Sequence, residues 1–265
     1  MSTAAVSTAD DGYAAKYAPR TVRSVSHAIE LVRILAGSAE ARTLSDLSRR
    51  VSLSKPSVYG LLNSLVSEGL VRRDECGHYR VGWGALELAA QVEEPRALEA
   101  GARSVLSDLA GATRGAALLS VANRKHVLYV GREQQDWSFD TVATIGHRSP
   151  WHATASGKVL LAHQSSKVLS HVLAEPLTRS TSSTLTEPGA LRRELARVKS
   201  HGFATCWGEH EPLLSSLAVP VFDRRGTMRA ALAVAVPTEF LRKVPATRVV
   251  NRLRSASRTI REALN

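Results

Sequence analysis

Residues 43–82, TLSDLSRRVSLSKPSVYGLLNSLVSEGLVRRDECGHYRVG, constrain the fold of this chain more than any other segment. Their apolar periodicity predicts a short helix, a tight turn, a second helix and then a two-stranded hairpin. Thr43 and Ser54 are suited to cap the two helices, and Pro56 is tolerated in a first helical turn. Gly69 fits the position after a helix end. This order of elements is that of a winged helix-turn-helix.

An earlier amphipathic helix is predicted at residues 24–35, with Val25, Ile29, Val32 and Leu35 facing inward. Three helices and a hairpin make a complete small domain. They favour a DNA-binding module over the alternative, an isolated helical hairpin with solvated charges. A helix-turn-helix places its second helix in the major groove of double-stranded DNA. The predicted DNA-binding residues are Thr43, Ser54, Lys55, Ser57, Tyr59, Asn63, Arg72, Arg73 and Arg80.

The net charge of +11 is weak evidence for DNA binding because of where it lies. Residues 1–95 carry 11 basic and 11 acidic side chains, whereas residues 96–265 carry 24 and 13. Within residues 20–82 the balance is a modest 10 basic to 6 acidic side chains. The helix-turn-helix motif is therefore the better argument for a nucleic-acid partner.

The length of 265 residues, with 44% apolar residues, is enough for about two domains. No apolar run reaches the roughly 18 residues that span a bilayer. Residues 1–19 lack the basic start and apolar block of a secretory signal, and we predict a disordered tail there. Only two cysteines occur, Cys76 and Cys206, which argues against a disulfide framework and fits a reducing cytoplasm.

The remainder of the chain predicts mixed helices and strands. A helix at residues 85–92 is followed by an interruption at residues 93–95, which we take as the domain boundary. Strands are predicted at residues 116–121, 126–130, 139–145, 203–206, 215–222 and 228–236. Helices are predicted at residues 96–109, 155–164, 166–173, 187–202 and 246–264, and a loop at residues 146–151. This mixture indicates an α+β domain with helices packed on a sheet.

Two distant segments carry a resemblance to a known family. GHRSPWHATASGKVLLA at residues 146–162 and HGFATCWGEHEPLLSSLAVPVF at residues 201–222 are the most specific. Together with the winged segment and the following helix, they resemble the IclR family of bacterial transcriptional regulators over residues 20–262.

The resemblance implies an α+β two-domain architecture. The predicted parts are residues 1–19 (disordered tail), 20–82 (N-terminal winged helix-turn-helix), 83–95 (linker helix) and 96–265 (C-terminal GAF-like α/β effector-binding domain). It also implies a cytoplasmic homodimer or homotetramer that binds operator DNA and a small-molecule effector. We expect a repressor of a catabolic or metabolic operon, without enzymatic activity, cofactor or metal.

Two positions of the recognition helix region depart from the family pattern. Similar proteins usually carry glycine in the turn where this chain has Ser52, and arginine where it has Gly60. An arginine there would contact a phosphate or a base. Gly60 removes that contact and costs about 1 kcal/mol relative to alanine inside a helix. With the recognition helix expected at residues 55–68, we predict an operator that differs from those of relatives.

The resemblance also implies an effector pocket between the helix that starts at ATASGK and the C-terminal strands. A helix N-terminus suits a carboxylate because it offers free N–H groups and partial positive charge. The predicted effector-binding residues are Thr154, Ala155, Ser156, Gly157, Cys206, Glu211, Ser215, Ser216, Leu217, Ala233 and Ala235. Some members carry serines near Ala233 and Ala235, so we expect a less polar pocket and an aromatic acid. Trp137, Trp151 and Trp207 are candidate wall residues.

An enzymatic C-terminal domain is the main alternative. The Gly157–Lys158 pair lacks the first glycine of a phosphate-binding loop, whose position is taken by His152. Ser156 beside His152 leaves a hydrolase-like activity open, but the window TASGK is not a G-x-S-x-G elbow. An ordinary capped helix explains these residues more simply.

Metal binding and redox control also stay open. His147, His152, Cys206 and His210 offer ligand atoms, but their spacing is not typical of a metal site. Cys76 falls in the predicted hairpin turn, where it is either a redox switch or a plain turn residue.

Overall fold

A computed structural model describes residues 21–123, 126–135 and 144–264 of the chain. The chain divides into two compact units, Met1–Val92 and Glu93–Asn265. None of the described helices combines the length and apolar character needed to cross a lipid bilayer.

The N-terminal unit is a winged helix-turn-helix, as predicted. Its elements are α1 (Arg23–Ala36), α2 (Leu44–Val51), α3 (Lys55–Ser67), β1 (Val71–Arg73), β2 (Tyr79–Val81) and α4 (Gly84–Ala90). Strands β1 and β2 pair antiparallel to form the wing. The buried core consists of Leu31, Leu35, Leu47, Val51, Val58, Leu62, Leu65, Val71 and Tyr79.

The predicted caps of the two central helices are confirmed. The Thr43 hydroxyl accepts a hydrogen bond from the Asp46 N–H at 3.1 Å, and the Ser54 hydroxyl accepts one from the Ser57 N–H at 3.4 Å. Each bond satisfies one of the N–H groups that a helix start leaves without an intrahelical partner. Gly69 follows α3 with a positive φ of 68°, as expected for this position.

The predicted inward face of α1 is partly wrong. Leu35 is buried and Val32 is half-buried, but Val25 and Ile29 are 55% and 46% exposed. Leu31 takes their place and is fully buried. The helix carries two overlapping apolar stripes, and periodicity alone does not decide which one meets the core.

The C-terminal unit is an antiparallel sheet covered by helices on both faces. Its elements are α5 (Glu93–Thr113), β3 (Ala116–Asn123), β4 (His126–Gln134), β5 (Arg148–Ser149), α6 (Ala155–Ala162), α7 (Ser166–Ala174), α8 (Pro188–His201), β6 (Ala204–Trp207), β7 (Leu214–Phe222), β8 (Met228–Pro237), α9 (Thr238–Lys243) and α10 (Ala246–Ala263). Among the described residues the sheet order is β5-β4-β3-β8-β7-β6. The predicted α+β fold class is confirmed.

Each sheet face has its own core. Helices α5 and α10 cover one face, where Leu106, Leu217 and Leu253 lie in a single cluster of buried residues. Helices α6 and α8 cover the other, where the apolar residues of β3 and β8 include several alanines. Small side chains on that face leave room beside the start of α6.

Several predicted boundaries differ from the structure. Helix α5 begins at Glu93 rather than after an interruption, because Pro95 falls in its first turn, where no N–H is required. It also runs past Gly111. Residues 148–149, predicted as loop, form β5 through pairing with β4. The strand predicted at residues 139–145 lies mostly outside the described residues.

Candidate functional site

The exposed side of α3 is the first candidate site. Lys55, Ser57, Tyr59 and Asn63 are all exposed, and their backbone positions place them along the helix. The Ser57 hydroxyl lies 2.8 Å from that of Ser54, so these two hydroxyls hold each other at the start of the helix. The remaining side chains offer an ammonium, a phenol and an amide, which are groups able to contact phosphates and base edges.

The wing supplies three exposed arginines, Arg72, Arg73 and Arg80. The Arg73 guanidinium lies over the Tyr79 ring at 5.6 Å from its centroid, and Arg80 donates to the Ala39 carbonyl at 3.4 Å. These contacts orient two of the guanidinium groups on the wing. Exposed arginines at this position can neutralise DNA phosphates.

The two departures from the family pattern have distinct structural consequences. Ser52 ends α2 in the left-handed conformation, with a φ of 54° and ψ of 40°. A residue with a side chain pays roughly 1–2 kcal/mol there, and glycine does not. Gly60 lies on the exposed side of α3, and nothing stands within 4 Å of a Cβ placed on it. A larger side chain would therefore fit at position 60.

The second candidate site is a cavity of about 150 Å³ in the C-terminal unit. It lies between the start of α6, the sheet face formed by β3, β7 and β8, and the loops before β5 and β7. The residues that line it are Leu118, Tyr129, His147, Ser149, Thr154, Ser156, Cys206, His210, Glu211, Leu214, Ser215, Ser216, Ala233 and Ala235. Leu118 and Ala233 are paired across β3 and β8, which makes the floor apolar.

The start of α6 forms one polar wall of the cavity. Thr154 caps the helix by accepting from the Gly157 N–H at 3.0 Å while its hydroxyl donates to the Pro150 carbonyl. Ser156, in the first turn, lines the cavity. The positive end of a helix and a hydroxyl together suit an anionic group.

Two histidines and a tyrosine, His147, His210 and Tyr129, also line the cavity with polar groups. Burial lowers the pKa of His210, His147 and His152 act in the same direction, and Glu211 opposes them. The His210 Nδ1 is buried and has no hydrogen-bond partner among the described residues. Burial raises the pKa of Tyr129, so this phenol is a neutral hydrogen-bond donor at physiological pH. His210 and Tyr129 therefore offer neutral hydrogen-bonding groups to a ligand.

The loop that carries His210 is held by a buried network. The hydroxyls of Thr181 and Thr184 donate to the carbonyls of Gly208 and Glu209, both at 2.7 Å. Lys158 on α6 is fully buried and binds the Glu209 carboxylate. These contacts hold the loop that carries His210 against α6.

Most of the residues predicted for effector binding come together at this cavity, and three do not. Ala155 packs into the core of the α6 face. Gly157 lies against the chain, since a Cβ on it would stand 2.3 Å from the Trp151 carbonyl, and its N–H is taken by the cap. Leu217 points to the opposite sheet face, because side chains alternate along β7. These three placements correct the prediction.

Two of the three predicted wall residues, Trp151 and Trp207, are not among the described residues that line the cavity. Trp151 is buried in the adjoining core, and Trp207 is 41% exposed. Trp137 lies outside the described residues.

Sequence reasoning missed six lining residues: Leu118, Tyr129, His147, Ser149, His210 and Leu214. It considered His147 and His210 only as metal ligands. Alternation along β3 could have indicated Leu118, but Tyr129 and Ser149 reach the cavity through the β4–β5 pairing, which the local sequence does not signal.

The geometry does not favour the alternative chemistries. The His152 Nε2 lies 2.9 Å from the Thr178 carbonyl, which directs that ring to the backbone. The Cys206 thiol donates to the Ala153 carbonyl, and burial raises its pKa. In the described part of the chain, the four proposed ligands His147, His152, Cys206 and His210 do not bring three ligand atoms together.

Comparisons with known proteins agree with this architecture. The IclR helix-turn-helix domain matches residues 24–75, and the bacterial transcriptional regulator IclR C-terminal domain matches residues 92–262. The glycerol operon regulatory protein of Streptomyces griseus is 32% identical over 91% of this chain and 96% of its own length. The HTH-type transcriptional regulator KdgR of Escherichia coli is 31% identical over 81% of this chain and 83% of its own length.

A solved structure extends the similarity to three dimensions. An IclR homolog from Microbacterium hydrocarbonoxydans, crystallised in complex with 4-hydroxybenzoate, is 28% identical to this chain. The two structures align with a TM-score of 0.80 over 91% of this chain and 98% of that one.

Proposed function

This chain belongs to the IclR family of bacterial transcriptional regulators, and we propose that its C-terminal cavity binds a small aromatic acid that changes its affinity for operator DNA. The observation that carries the ligand proposal is the unpartnered Nδ1 of His210, buried in the cavity wall. A buried polar atom without a partner costs free energy, and a bound carboxylate or hydroxyl would relieve that cost.

The cavity offers suitable surroundings for both parts of an aromatic acid, the carboxylate and the ring. A carboxylate at the start of α6 would meet the positive helix end and the Ser156 hydroxyl. A flat ring would lie on the floor formed by Leu118, Ala233 and Ala235. The relative that binds 4-hydroxybenzoate supports this class of ligand.

The DNA proposal rests on the winged unit. We propose that α3 enters the major groove with Lys55, Tyr59 and Asn63, while Arg72 and Arg73 of the wing hold phosphates. Thr43 caps α2 and Ser54 caps α3. The Ser57 hydroxyl contacts that of Ser54, and we propose that both serines lie where the first base contacts form. Arg80 supports the wing through its bond to the backbone.

We propose that the DNA-binding species is a homodimer or a tetramer built from two such dimers. Large apolar side chains remain exposed in the N-terminal unit on and beside α1 and α4: Val22, Val25, Ile29, Trp83, Leu86, Leu88 and Val92. Such exposure is typical of a surface that a partner covers. A dimer would present two recognition helices to half-sites one helical turn apart.

The remaining parts of the proposal follow from this role. We propose that residues 20–82 act as the DNA-binding domain, residues 83–95 as the linker and residues 96–265 as the effector domain. A DNA-bound regulator acts in the cytoplasm. Its relatives are named as regulators, and we propose that it has no enzymatic activity.

A ligand panel tests the cavity directly. We expect benzoate or 4-hydroxybenzoate to raise the melting temperature of the full chain, and uncharged 4-hydroxybenzamide to raise it less. A ligand at 100 times its Kd adds about 2.7 kcal/mol to the stability of the unit that binds it.

A cavity-filling variant and a matched control make the panel specific. Ala233→Leu places a larger side chain on the cavity floor and should abolish the shift. Ala174→Leu adds the same side chain at an exposed position of α7 and should retain it. Equal shifts in both variants would show that the ligand binds elsewhere, and no shift with any aromatic acid would refute the ligand proposal.

A further inference from the structure

The turn of the wing brings together three different metal-ligating side chains. Asp74, Cys76 and His78 occupy alternate positions of the sequence DECGH. One ligand atom from each lies within 4.8 Å of the other two. Of the residues that the structure describes, these are the ones that form such a group.

The hairpin backbone holds the three residues in place. The Asp74 N–H donates to the His78 carbonyl at 2.9 Å, and the Gly77 N–H donates to the Asp74 carbonyl at 3.0 Å. The His78 N–H in turn donates to the Asp74 Oδ1 at 2.8 Å. The turn is therefore closed by three hydrogen bonds, and the His78 Nδ1 lies 3.6 Å from the Asp74 Oδ1.

The separations are close to those of a tetrahedral zinc site. Zinc binds thiolate at about 2.3 Å, and imidazole or carboxylate at about 2.0–2.2 Å, which puts neighbouring ligand atoms roughly 3.3–3.8 Å apart. The present separations of up to 4.8 Å need movements of about 1 Å. The side chains of Asp74 and Cys76 are exposed, so an ion can reach them from solvent.

We propose that Asp74, Cys76 and His78 bind a zinc ion at the tip of the wing, with water as the fourth ligand. A thiolate and an imidazole favour zinc over magnesium or calcium, which prefer oxygen ligands. Binding transfers the Cys76 thiol proton to solvent as the sulfur–zinc bond forms. No electrons are exchanged.

The ion would change the charge that the wing presents to DNA. Without metal, the carboxylate of Asp74 contributes one negative charge. With metal, the carboxylate and thiolate together balance the two positive charges of zinc, so the site becomes neutral. If the wing contacts phosphates, as the proposed function holds, zinc should strengthen DNA binding and steepen its salt dependence by at most about one unit of log–log slope.

Cobalt substitution tests the site without DNA. Reduced, tag-free full-length protein titrated with Co²⁺ should develop a thiolate charge-transfer band in the near ultraviolet and tetrahedral bands in the visible. Zn²⁺ should displace them. Cys76→Ser and His78→Gln should lose the bands, whereas Cys206→Ser and His171→Gln should keep them.

The cobalt result decides the metal proposal by itself. Absence of the charge-transfer band in the unchanged protein, or its persistence in Cys76→Ser, would overturn the site. Because His171 is an exposed histidine on α7, loss of the bands in His171→Gln would likewise place the ion elsewhere.

A second measurement tests the coupling to DNA. The Kd for a labelled duplex of unrelated sequence is measured with Zn²⁺ and with a chelator, in the unchanged protein and in Cys76→Ser. Zinc should lower the Kd only in the unchanged protein. Cobalt bands in a protein whose Kd for DNA does not respond to Zn²⁺ would overturn the coupling between the metal site and DNA binding. If neither protein binds DNA, the proposed function is contradicted, and the cobalt titration alone decides the metal site.

Discussion

Replacement of Lys158 by methionine should destabilise the C-terminal unit strongly. The Lys158 side chain is 2% exposed, and its Nζ contacts the Thr205 carbonyl at 3.1 Å and the Glu209 carboxylate. The other oxygen of that carboxylate, Glu209 Oε2, has no hydrogen-bond partner among the described residues. Lys158→Met therefore leaves a buried carboxylate without its counter-charge.

The expected cost follows from this geometry. Removing one partner of a buried ion pair costs about 3–5 kcal/mol, because the charge that remains is uncompensated. For a unit of this size, that corresponds to a fall of roughly 6–20 °C in melting temperature. Calorimetry on the full chain measures the melting temperature, and urea unfolding followed by tryptophan fluorescence measures the free energy of unfolding.

A double variant separates the charge effect from loss of packing. Lys158→Met with Glu209→Met removes both charges and keeps apolar volume, so it should be more stable than Lys158→Met alone by at least about 2 kcal/mol. Lys199→Met, at an exposed position of α8, should change stability by less than about 0.5 kcal/mol. A cost below about 1 kcal/mol for Lys158→Met, or strictly additive single effects, would refute the reasoning.

Three further results are expected. Ser52→Gly should raise the free energy of unfolding of the N-terminal unit by about 0.5–1 kcal/mol, measured by urea titration. Glycine relieves the strain of the left-handed conformation but costs more backbone entropy. An unchanged or lower free energy of unfolding would contradict a strained left-handed Ser52. Gly60→Ala should stabilise α3 by up to about 1 kcal/mol, since nothing lies within 4 Å of a Cβ at this position. Gly60→Arg should in addition tighten DNA binding and steepen the salt dependence of the Kd by about one unit of log–log slope, measured by fluorescence anisotropy. Equal slopes for Gly60→Ala and Gly60→Arg would show that position 60 does not contact DNA. Burial lowers the pKa of His210, and a bound anion would raise it, so acid binding takes up a proton. The affinity for an aromatic acid should therefore rise as the pH falls through the window between the His210 pKa of the ligand-bound protein and that of the free protein. His210→Gln should flatten this pH dependence, measured by isothermal titration calorimetry. An unchanged pH dependence in His210→Gln would exclude His210 as the group that takes up the proton.

Local signals predicted the N-terminal unit well. The caps at Thr43 and Ser54 and the apolar stripe of α3 depend on residues three or four positions apart, which a single sequence displays. The buried face of α1 was harder to predict because the helix carries two overlapping apolar stripes. Leu31 rather than Val25 is buried because it packs against residues of other elements of the N-terminal unit, and the sequence of α1 alone does not show those contacts.

The cavity was predicted only where a motif marked it. Thr154 and Ser156 belong to a recognisable helix start, and Ala233 and Ala235 predicted a less polar pocket. Leu217 was predicted together with its neighbour Ser216, although successive side chains of a strand point to opposite faces of the sheet. Tyr129 is placed at the cavity by the pairing of β4 with β5, and His210 by the packing of its loop against Thr184. Both placements depend on residues far apart in the sequence, so no local pattern predicts them.

The coupling between the cavity and DNA is the central claim, and one binding measurement tests it most directly. The Kd for the DNA fragment upstream of the protein's own gene is measured with and without saturating aromatic acid, in the unchanged chain and in Ala233→Leu. We expect the acid to change this Kd by about five-fold or more in the unchanged chain and to have no effect in Ala233→Leu. An identical Kd with and without the acid, or an effect that persists when the cavity is filled, would contradict the account.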